Sequence, residues 1–190
     1  MKGFFYLMRI ISGFLKGRKI NPPHLQDKTR PTTDMAKEGL FNTISNFVDF
    51  EGIRVLDLFC GSGNIGIEFL SRGAEWVVFL DHHKGCTQFI HEKLTEFELL
   101  GQSKIITQKF QSFHQSYHGP AFDLIFLDPP YDFSSYQKFP TLFLEARWLN
   151  AEGYLIIEHD HRNNFEKHSN FVMTKKYGQS QFSFLKPRYS

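Results

Sequence analysis

Five stretches of mainly apolar residues run through the middle of the chain without the alternation of a half-exposed strand. They are RVLDLF (54–59), WVVFLD (76–81), KIIT (104–107), FDLIFLD (122–128) and YLIIE (154–158). A parallel sheet covered by helices on both faces needs strands of this kind. Between them, residues 64–73 and 85–101 read as helices, and each is closed by a glycine. The pattern therefore predicts an α/β fold.

The two ends of the chain carry different patterns. RIISG (9–13) and GRKI (17–20) predict a small N-terminal β-hairpin, and the proline-rich stretch 21–31 predicts a loop. From Thr33 a helix is expected, with Ala36, Leu40 and Ile44 on one face and Thr32 or Thr33 as its cap. Residues 171–185 alternate around Gly178, which predicts an antiparallel C-terminal hairpin. Together these segments predict a mostly parallel seven-stranded sheet.

Length and composition fit one globular domain with a small appendage. The chain has 190 residues and is 41% hydrophobic. Its two cysteines, Cys60 and Cys86, have no disulfide or metal spacing, which favours a reducing cytosol. We expect no signal peptide, because the first residues lack a full apolar h-region and a cleavage site. We expect no membrane-spanning helix, because no apolar run approaches 18 residues.

The net charge of +2 is unevenly distributed. Residues 1–30 contain seven Lys and Arg against Asp27 alone, which leaves fifteen basic and nineteen acidic residues for the rest of the chain. A basic arm on a mildly acidic body indicates a polyanionic partner. The alternative is a solvated arm without a partner.

Polar residues cluster where the predicted strands end, and ligands of open α/β sheets bind at that edge. These segments are DLFCGSGNIG (57–66), Asp81, TQKFQ (107–111) and DPPY (128–131). The G-x-G-x-x-G pattern of residues 61–66, followed by Asp81, is also typical of dinucleotide binding, so a nicotinamide cofactor is one candidate. Asp57 favours another, because a buried carboxylate suits a cationic ligand and offers nothing to a pyrophosphate.

S-adenosylmethionine carries an ammonium and a sulfonium group and no phosphate, so it fits Asp57 better. Two plainer interpretations stay open. Asp57 could be a structural carboxylate that accepts hydrogen bonds from loop N–H groups, and Asp81 could be a simple strand-end acid.

The DPPY segment suggests chemistry on an aromatic amine. Such an amine is a poor nucleophile, because its lone pair is delocalised into the ring. The Asp128 carboxylate and the Pro129 carbonyl could accept its N–H groups and draw the lone pair out of conjugation, while Pro129 and Pro130 fix the backbone. Tyr131 could stack on a base that has left its helix. A rigid turn with a core tyrosine is the alternative.

Two other clusters are weaker. Glu158, His159, Asp160 and His161 could suggest a metal, but we expect a solvated loop after the fifth strand. Cys60 lies in the glycine loop without a visible base, so packing is its expected role. We predict no metal site.

Longer motifs add a family resemblance. DPPY after a strand, with VLDLFCGSGNIGIEFLSRGA (55–74) before it, resembles the S-adenosylmethionine-dependent amino-methyltransferases that act on nucleobases. RIISGFLKGRKI (9–20) and TRPTTDMAKEGLFN (29–42) resemble the RsmD family of 16S ribosomal RNA guanine-N2 methyltransferases, and the match runs from about Arg9 to Leu185.

The resemblance implies a Rossmann-like methyltransferase fold over 32–190, behind a basic extension and hairpin over 1–31. It implies a cytoplasmic enzyme, expected as a monomer, that uses S-adenosylmethionine on 16S rRNA of an assembling small ribosomal subunit. The implied cofactor residues are Asp57, Phe59, Gly61, Gly63, Asn64, Asp81, His82 and Phe110. The implied catalytic residues are Asp128, Pro129, Pro130 and Tyr131, and the RNA contacts are Lys16, Arg18, Lys19, Arg30 and Thr32.

The chain departs from the family pattern at two positions. Lys109 stands about where an acid near the adenine is usual, and Met35 stands where a basic residue commonly follows RPTTD. Two further functions stay open, the first because a DPPY site can serve the amine of either base. One is an adenine-N6 DNA methyltransferase, although the chain leaves no room for a separate target-recognition domain. The other is an RNA-binding assembly factor with an idle donor site, for which Lys109 is the best argument.

Overall fold

The computed structural model describes residues 8–21, 33–130 and 136–188. The strands are β1 (Met8–Arg9), β2 (Lys19–Ile20), β3 (Arg54–Leu58), β4 (Trp76–Asp81), β5 (Ser103–Thr107), β6 (Phe122–Leu127), β7 (Leu149–His159), β8 (Phe171–Tyr177) and β9 (Ser180–Leu185). The helices are α1 (Asp34–Ile44), α2 (Asn64–Ser71), α3 (Lys84–Glu96), α4 (Phe110–Ser116) and α5 (Phe139–Glu145). Short 3₁₀ turns span Leu100–Gln102 and Tyr136–Lys138.

The central sheet has seven strands in the order β5-β4-β3-β6-β7-β9-β8. The first five are parallel, and β9 runs antiparallel to both β7 and β8. The predicted fold class is thereby confirmed, including the antiparallel C-terminal hairpin and the small β1–β2 hairpin. After β3 the chain adds strands on one side and then on the other. The cleft of such a sheet lies at this switch point, beyond the carboxyl ends of β3 and its neighbours.

Apolar side chains form one cluster on each face of the sheet. One face is covered by α1, α2 and α3, and the other by α4 and α5. The N-terminal hairpin belongs to the first cluster, because its Met8, Ile10, Leu15 and Ile20 are buried with the apolar residues of α2. α1 begins as predicted, with the Thr33 hydroxyl accepting a hydrogen bond from the Ala36 N–H. In the described residues no helix is long and apolar enough to cross a membrane.

The structure corrects several predicted boundaries. The helix expected over 85–101 ends at Glu96, because Glu98 adopts a left-handed conformation (φ 60°) and the Leu99 N–H returns to the Leu94 carbonyl at 2.8 Å. Gly101 therefore does not end that helix. The helices α4 and α5 were not predicted, since each has only seven residues.

The interpretation of 156–164 as a strand followed by a solvated loop was partly wrong. The strand β7 continues to His159, and Glu158 and His159 are buried. The His159 ring bonds to the Ser183 hydroxyl of the neighbouring β9 at 2.7 Å, so pairing with β9 extends the strand. Glu158 is thereby placed at the ligand-binding edge of the sheet.

Candidate active site

The glycine loop joins β3 to α2 through a tight turn. Phe59, Gly61 and Gly63 all have positive φ, and the Gly63 N–H donates to the Cys60 carbonyl at 2.7 Å. Gly66 is required for a different reason, since a Cβ there would lie 2.2 Å from the Phe79 ring. The glycine at 66 therefore lets α2 lie close against β4. Cys60 is buried, and burial raises the pKa of its thiol, which agrees with a packing role.

Four carboxylates follow one another across the carboxyl edge of the sheet. Asp57 of β3 pairs with Phe79 of β4 and with Phe126 of β6, and Phe126 pairs with Ile156 of β7. Positions two residues further along those three strands face the same side of the sheet as Asp57. These positions are occupied by Asp81, Asp128 and Glu158. We call Asp81, Asp57, Asp128 and Glu158 the carboxylate row.

Asp57 is the most deeply buried member of the row, at 1% exposure. Its Oδ2 accepts a hydrogen bond from the Gly66 N–H at 2.9 Å, which is the structural role considered above. Burial raises its pKa from 3.8 to about 7, the Gly66 N–H opposes this rise, and the charge of Asp81 adds to it. A cationic group beside Asp57 would favour its charged form. The Asp57 carboxylate therefore fits a ligand that carries positive charge.

Asp81 orders the loops on both sides of it. Its Oδ2 accepts from the Gly61 N–H at 3.0 Å, and its Oδ1 accepts from the His83 N–H at 2.8 Å. The exposed His82 lies beside it, with Nδ1 3.4 Å from the same Oδ1. The Asp81 carboxylate is thus held at the carboxyl end of β4, next to the glycine loop.

Asp128 follows β6 directly, and its N–H donates to the Leu58 carbonyl of β3 at 3.3 Å. The side chain is only partly exposed. Burial raises the pKa of Asp128 well above its ordinary value, and the charges of Glu158 and Asp57 raise it further. Asp128 is therefore close enough to Glu158 and Asp57 to feel their charges.

The Tyr136 hydroxyl fixes the turn that follows Asp128. The Tyr136 hydroxyl donates to the Pro129 carbonyl at 2.6 Å and lies 3.3 Å from the Glu158 carbonyl. Pro129 is buried and Pro130 is exposed. Tyr131 lies outside the described residues. The predicted acceptor at Pro129 is therefore fixed in place, and a residue that sequence reasoning missed fixes it.

Three aromatic rings pack together in the apolar cluster on the opposite face of the sheet. Phe59 lies 6.0 Å from both Phe110 and Phe139, measured between ring centroids, and Phe110 and Phe139 are 5.6 Å apart. Phe110 begins α4 directly after the exposed Lys109. The structure thus brings the predicted Phe59 and Phe110 together and adds Phe139, which no motif marked.

Asn64 takes part in a buried polar junction beneath the glycine loop. Its Oδ1 accepts from the Lys37 ammonium at 2.7 Å, and the same ammonium lies 3.3 Å from Glu68 and contacts the Arg9 carbonyl. Burial lowers the pKa of Lys37, and Glu68 opposes that change. Sequence reasoning missed Lys37, although a lysine on the apolar stripe of α1 was a visible signal. Its contact fixes the first residue of α2.

Glu68 connects this junction to the N-terminal hairpin. Its two oxygens accept from the N–H groups of Ile11 at 2.8 Å and Ser12 at 3.0 Å, and Arg72 lies 2.8 Å away. The Glu68 and Lys37 side chains are fully buried. The hairpin is therefore tied to the same helix that begins at the glycine loop.

The predicted RNA-contacting residues that the structure describes lie on this hairpin. Lys16, Arg18 and Lys19 are exposed, and the Arg18 guanidinium lies 5.6 Å from the centroid of the Phe97 ring. Arg30 and Thr32 lie outside the described residues.

This fold, with a glycine loop and acidic strand ends at the switch point, is that of the Rossmann-like methyltransferases. The solved structure of Escherichia coli yhhF superposes with a TM-score of 0.81 over 96% of this chain and 99% of that one, at 26% identity. A methyltransferase from Thiobacillus denitrificans in complex with S-adenosyl-L-homocysteine shares the fold, with a TM-score of 0.56 over 71% of this chain and 52% of its own, at 16% identity.

The family is shown by the sequence comparisons. The model of the family described as conserved hypothetical protein 95 matches residues 8–186. The Bacillus subtilis protein "Putative rRNA methyltransferase YlbH" is 37% identical over 95% of this chain and 100% of its own. The Haemophilus influenzae "Ribosomal RNA small subunit methyltransferase D" is 35% identical over 80% of this chain and 78% of its own. The chain belongs to this family, the RsmD family of methyltransferases.

Proposed function

We propose that this protein methylates the exocyclic N2 amine of a guanine in 16S ribosomal RNA, with S-adenosylmethionine as methyl donor. The carboxylate row is the observation that carries the proposal. Its carboxylates follow neighbouring strands on one face of the sheet, and they would serve as acceptors for a cationic methyl donor and for an aromatic amine. Relatives named as ribosomal RNA methyltransferases support the choice of substrate.

The cofactor would lie at the carboxyl ends of β3 and β4, where it supplies an electrophilic methyl group on a cationic sulfur. Asp57 would face its positive charge, Asp81 would accept its ribose hydroxyls, and the rings of Phe59 and Phe110 would cover its adenine. Asn64 would act through the backbone, because its side-chain oxygen bonds to Lys37. A row of carboxylates repels phosphate, which argues against the nicotinamide alternative.

The target amine would be oriented at the turn after β6. A cationic donor beside the row lowers the pKa of Asp128 and favours the carboxylate that accepts an amine N–H. The Pro129 carbonyl, held by Tyr136, would accept the second one. Both acceptors draw the nitrogen lone pair out of the ring, towards the methyl group. The nitrogen attacks directly, and its extra proton leaves to Asp128 or to solvent afterwards.

Glu158 favours guanine over adenine as the target. Guanine presents two adjacent donors, N1–H and the N2 amine, whereas adenine presents its N6 amine beside the N1 acceptor. Asp128 and Glu158 each follow the last paired residues of β6 and β7, Leu127 and Ile157, so their two carboxylates lie close to each other. The second carboxylate would accept the N1–H of guanine and repel N1 of adenine.

The N-terminal hairpin fits an RNA substrate, and we propose in addition that the enzyme is cytoplasmic and monomeric. The hairpin over 8–20 carries Arg9, Lys16, Arg18 and Lys19 and no acidic residue. Its base lies next to the glycine loop, with the Met8 sulfur 4.0 Å from the Ser62 hydroxyl. A basic surface beside the catalytic edge would hold the phosphates that flank the target.

The test supplies methyl-labelled S-adenosylmethionine with small ribosomal subunits from cells that lack the activity, with naked 16S RNA and with DNA. The expected product is N2-methylguanine in RNA, formed by wild type and by Glu92→Gln, an exposed control on α3. Asp128→Ala should form none. Label found as N6-methyladenine in DNA would overturn the proposal. If no substrate acquires label although the protein still binds the methyl donor, the result would favour the RNA-binding assembly factor.

A further inference from the structure

Phe14 is an aromatic side chain that the hairpin holds out in solvent. It is 65% exposed, at the tip between β1 and β2. Its backbone is nevertheless fixed, because its N–H donates to the Ser71 carbonyl at 2.9 Å and the Leu15 N–H donates to the Ser71 hydroxyl at 3.1 Å. Gly13 permits this contact, since a Cβ there would lie 1.6 Å from the Ser71 oxygen. The ring therefore stands at a defined place on the surface.

The hairpin that carries the ring is strongly basic. Lys16, Arg18 and Lys19 are exposed on the same hairpin, and residues 8–20 contain no acid that would neutralise them. An exposed ring among cations is the arrangement with which proteins bind single-stranded nucleic acid, because cations hold the phosphates and the ring stacks on a base.

The hairpin also has a defined direction relative to the active site. Its base adjoins the glycine loop, where Lys37 contacts both Arg9 and Asn64. Its tip adjoins Ser71, the last residue of α2. The seven residue steps from Asn64 to Ser71 correspond to about 10 Å of helix. The tip therefore lies one helix length from the catalytic edge, outside the pocket of the target base.

We propose that Phe14 stacks on an unpaired base of the substrate RNA, away from the methylated nucleotide. The inference rests on the proposed function in that the partner is RNA, and it adds a contact that selects single-stranded nucleotides next to the target. Lys16 and Lys19 bind phosphates on either side of that base. Phe14 is thus part of substrate recognition and takes no part in methyl transfer.

The test measures binding in the presence of S-adenosylhomocysteine, so that no methyl group is transferred. Naked 16S RNA, small subunits and a fully paired RNA duplex are titrated over a range of salt concentrations. Phe14→Ala should weaken binding to the first two about 5- to 100-fold, and Phe14→Trp should restore it. The slope of log Kd against log salt should stay unchanged in Phe14→Ala, whereas Lys16→Gln should reduce it by about 0.7–0.9.

The control is Val172→Ala, which removes an exposed apolar side chain from β8 at the edge of the sheet. It should bind as wild type does. Wild-type affinity in Phe14→Ala, full affinity in Phe14→Leu, or an equal loss on the duplex would each overturn the inference. The inference would also be overturned if Phe14→Ala changed the sedimentation of the protein, because Phe14 would then form a contact between two copies of the chain. Wild type that binds RNA without methylating it would refute the proposed function alone.

Discussion

Replacing Asp57 by Asn should stabilise the protein in the absence of cofactor. The substitution removes the charge but keeps an oxygen that can accept the Gly66 N–H. Below pH ~4 the carboxyl is protonated in both the folded and the unfolded chain, so its charge costs nothing. As the pH rises towards 7, the unfolded chain loses this proton while the folded protein retains it. The wild type therefore loses stability over this window, and the variant does not.

The size of the effect follows from the burial of Asp57. Its pKa rises from 3.8 to about 7, and each pKa unit corresponds to about 1.4 kcal/mol, which gives about 4 kcal/mol above pH 7. The buried amide of Asn subtracts about 1–2 kcal/mol. We therefore expect Asp57→Asn to be about 2–3 kcal/mol more stable than wild type at pH 8 and no more stable at pH 4.

Urea unfolding at several pH values measures this difference. Asp49→Asn is the matched control, because Asp49 is exposed and also accepts a loop N–H, that of Glu51, at 3.1 Å. It should follow wild type at every pH. S-adenosylmethionine should stabilise wild type and not Asp57→Asn. A stability difference that is independent of pH, or a variant less stable than wild type at pH 8, would refute the argument from burial.

Three further substitutions test other parts of the site. Glu158→Gln should lower kcat/KM for guanine about 10- to 100-fold, as expected for the loss of a charged hydrogen bond. It should also raise the ratio of adenine to guanine methylation in a product assay, and an unchanged ratio would exclude this role. Tyr136→Phe removes the hydroxyl that donates to the Pro129 carbonyl and should lower the free energy of unfolding in urea by about 1 kcal/mol. It should also lower kcat and leave the Kd for the methyl donor unchanged, and a wild-type kcat would contradict the proposed role of Tyr136. Lys37→Met leaves Arg72 as the one remaining charged partner of the buried Glu68 within the described residues. It should cost about 3 kcal/mol in thermal or urea unfolding, and near wild-type stability would show that the junction contributes little.

The sheet and the glycine loop were predictable because their signals are local. Continuous apolar runs mark buried parallel strands, and the acids at their ends meet at one edge once the strands are parallel. Tyr136, Phe139 and Lys37 could not be assigned in this way, because their roles depend on contacts between distant segments. The extension of β7 to His159 and the burial of Glu158 were not predicted, since pairing of β7 with the late strand β9 carries no signal near residue 158.

The bonds from Glu68 and Ser71 to the hairpin also determine the order in which the chain can fold during synthesis. The N–H groups of Ile11 and Ser12 donate to the Glu68 carboxylate, which lies 57 and 56 residues later in the sequence. Until α2 has left the ribosome, the hairpin lacks the Glu68 carboxylate and the Ser71 hydroxyl that accept its backbone N–H groups. The basic N-terminal segment is thus exposed on the nascent chain first, and it can make these hydrogen bonds only after residues 64–72 have been synthesised.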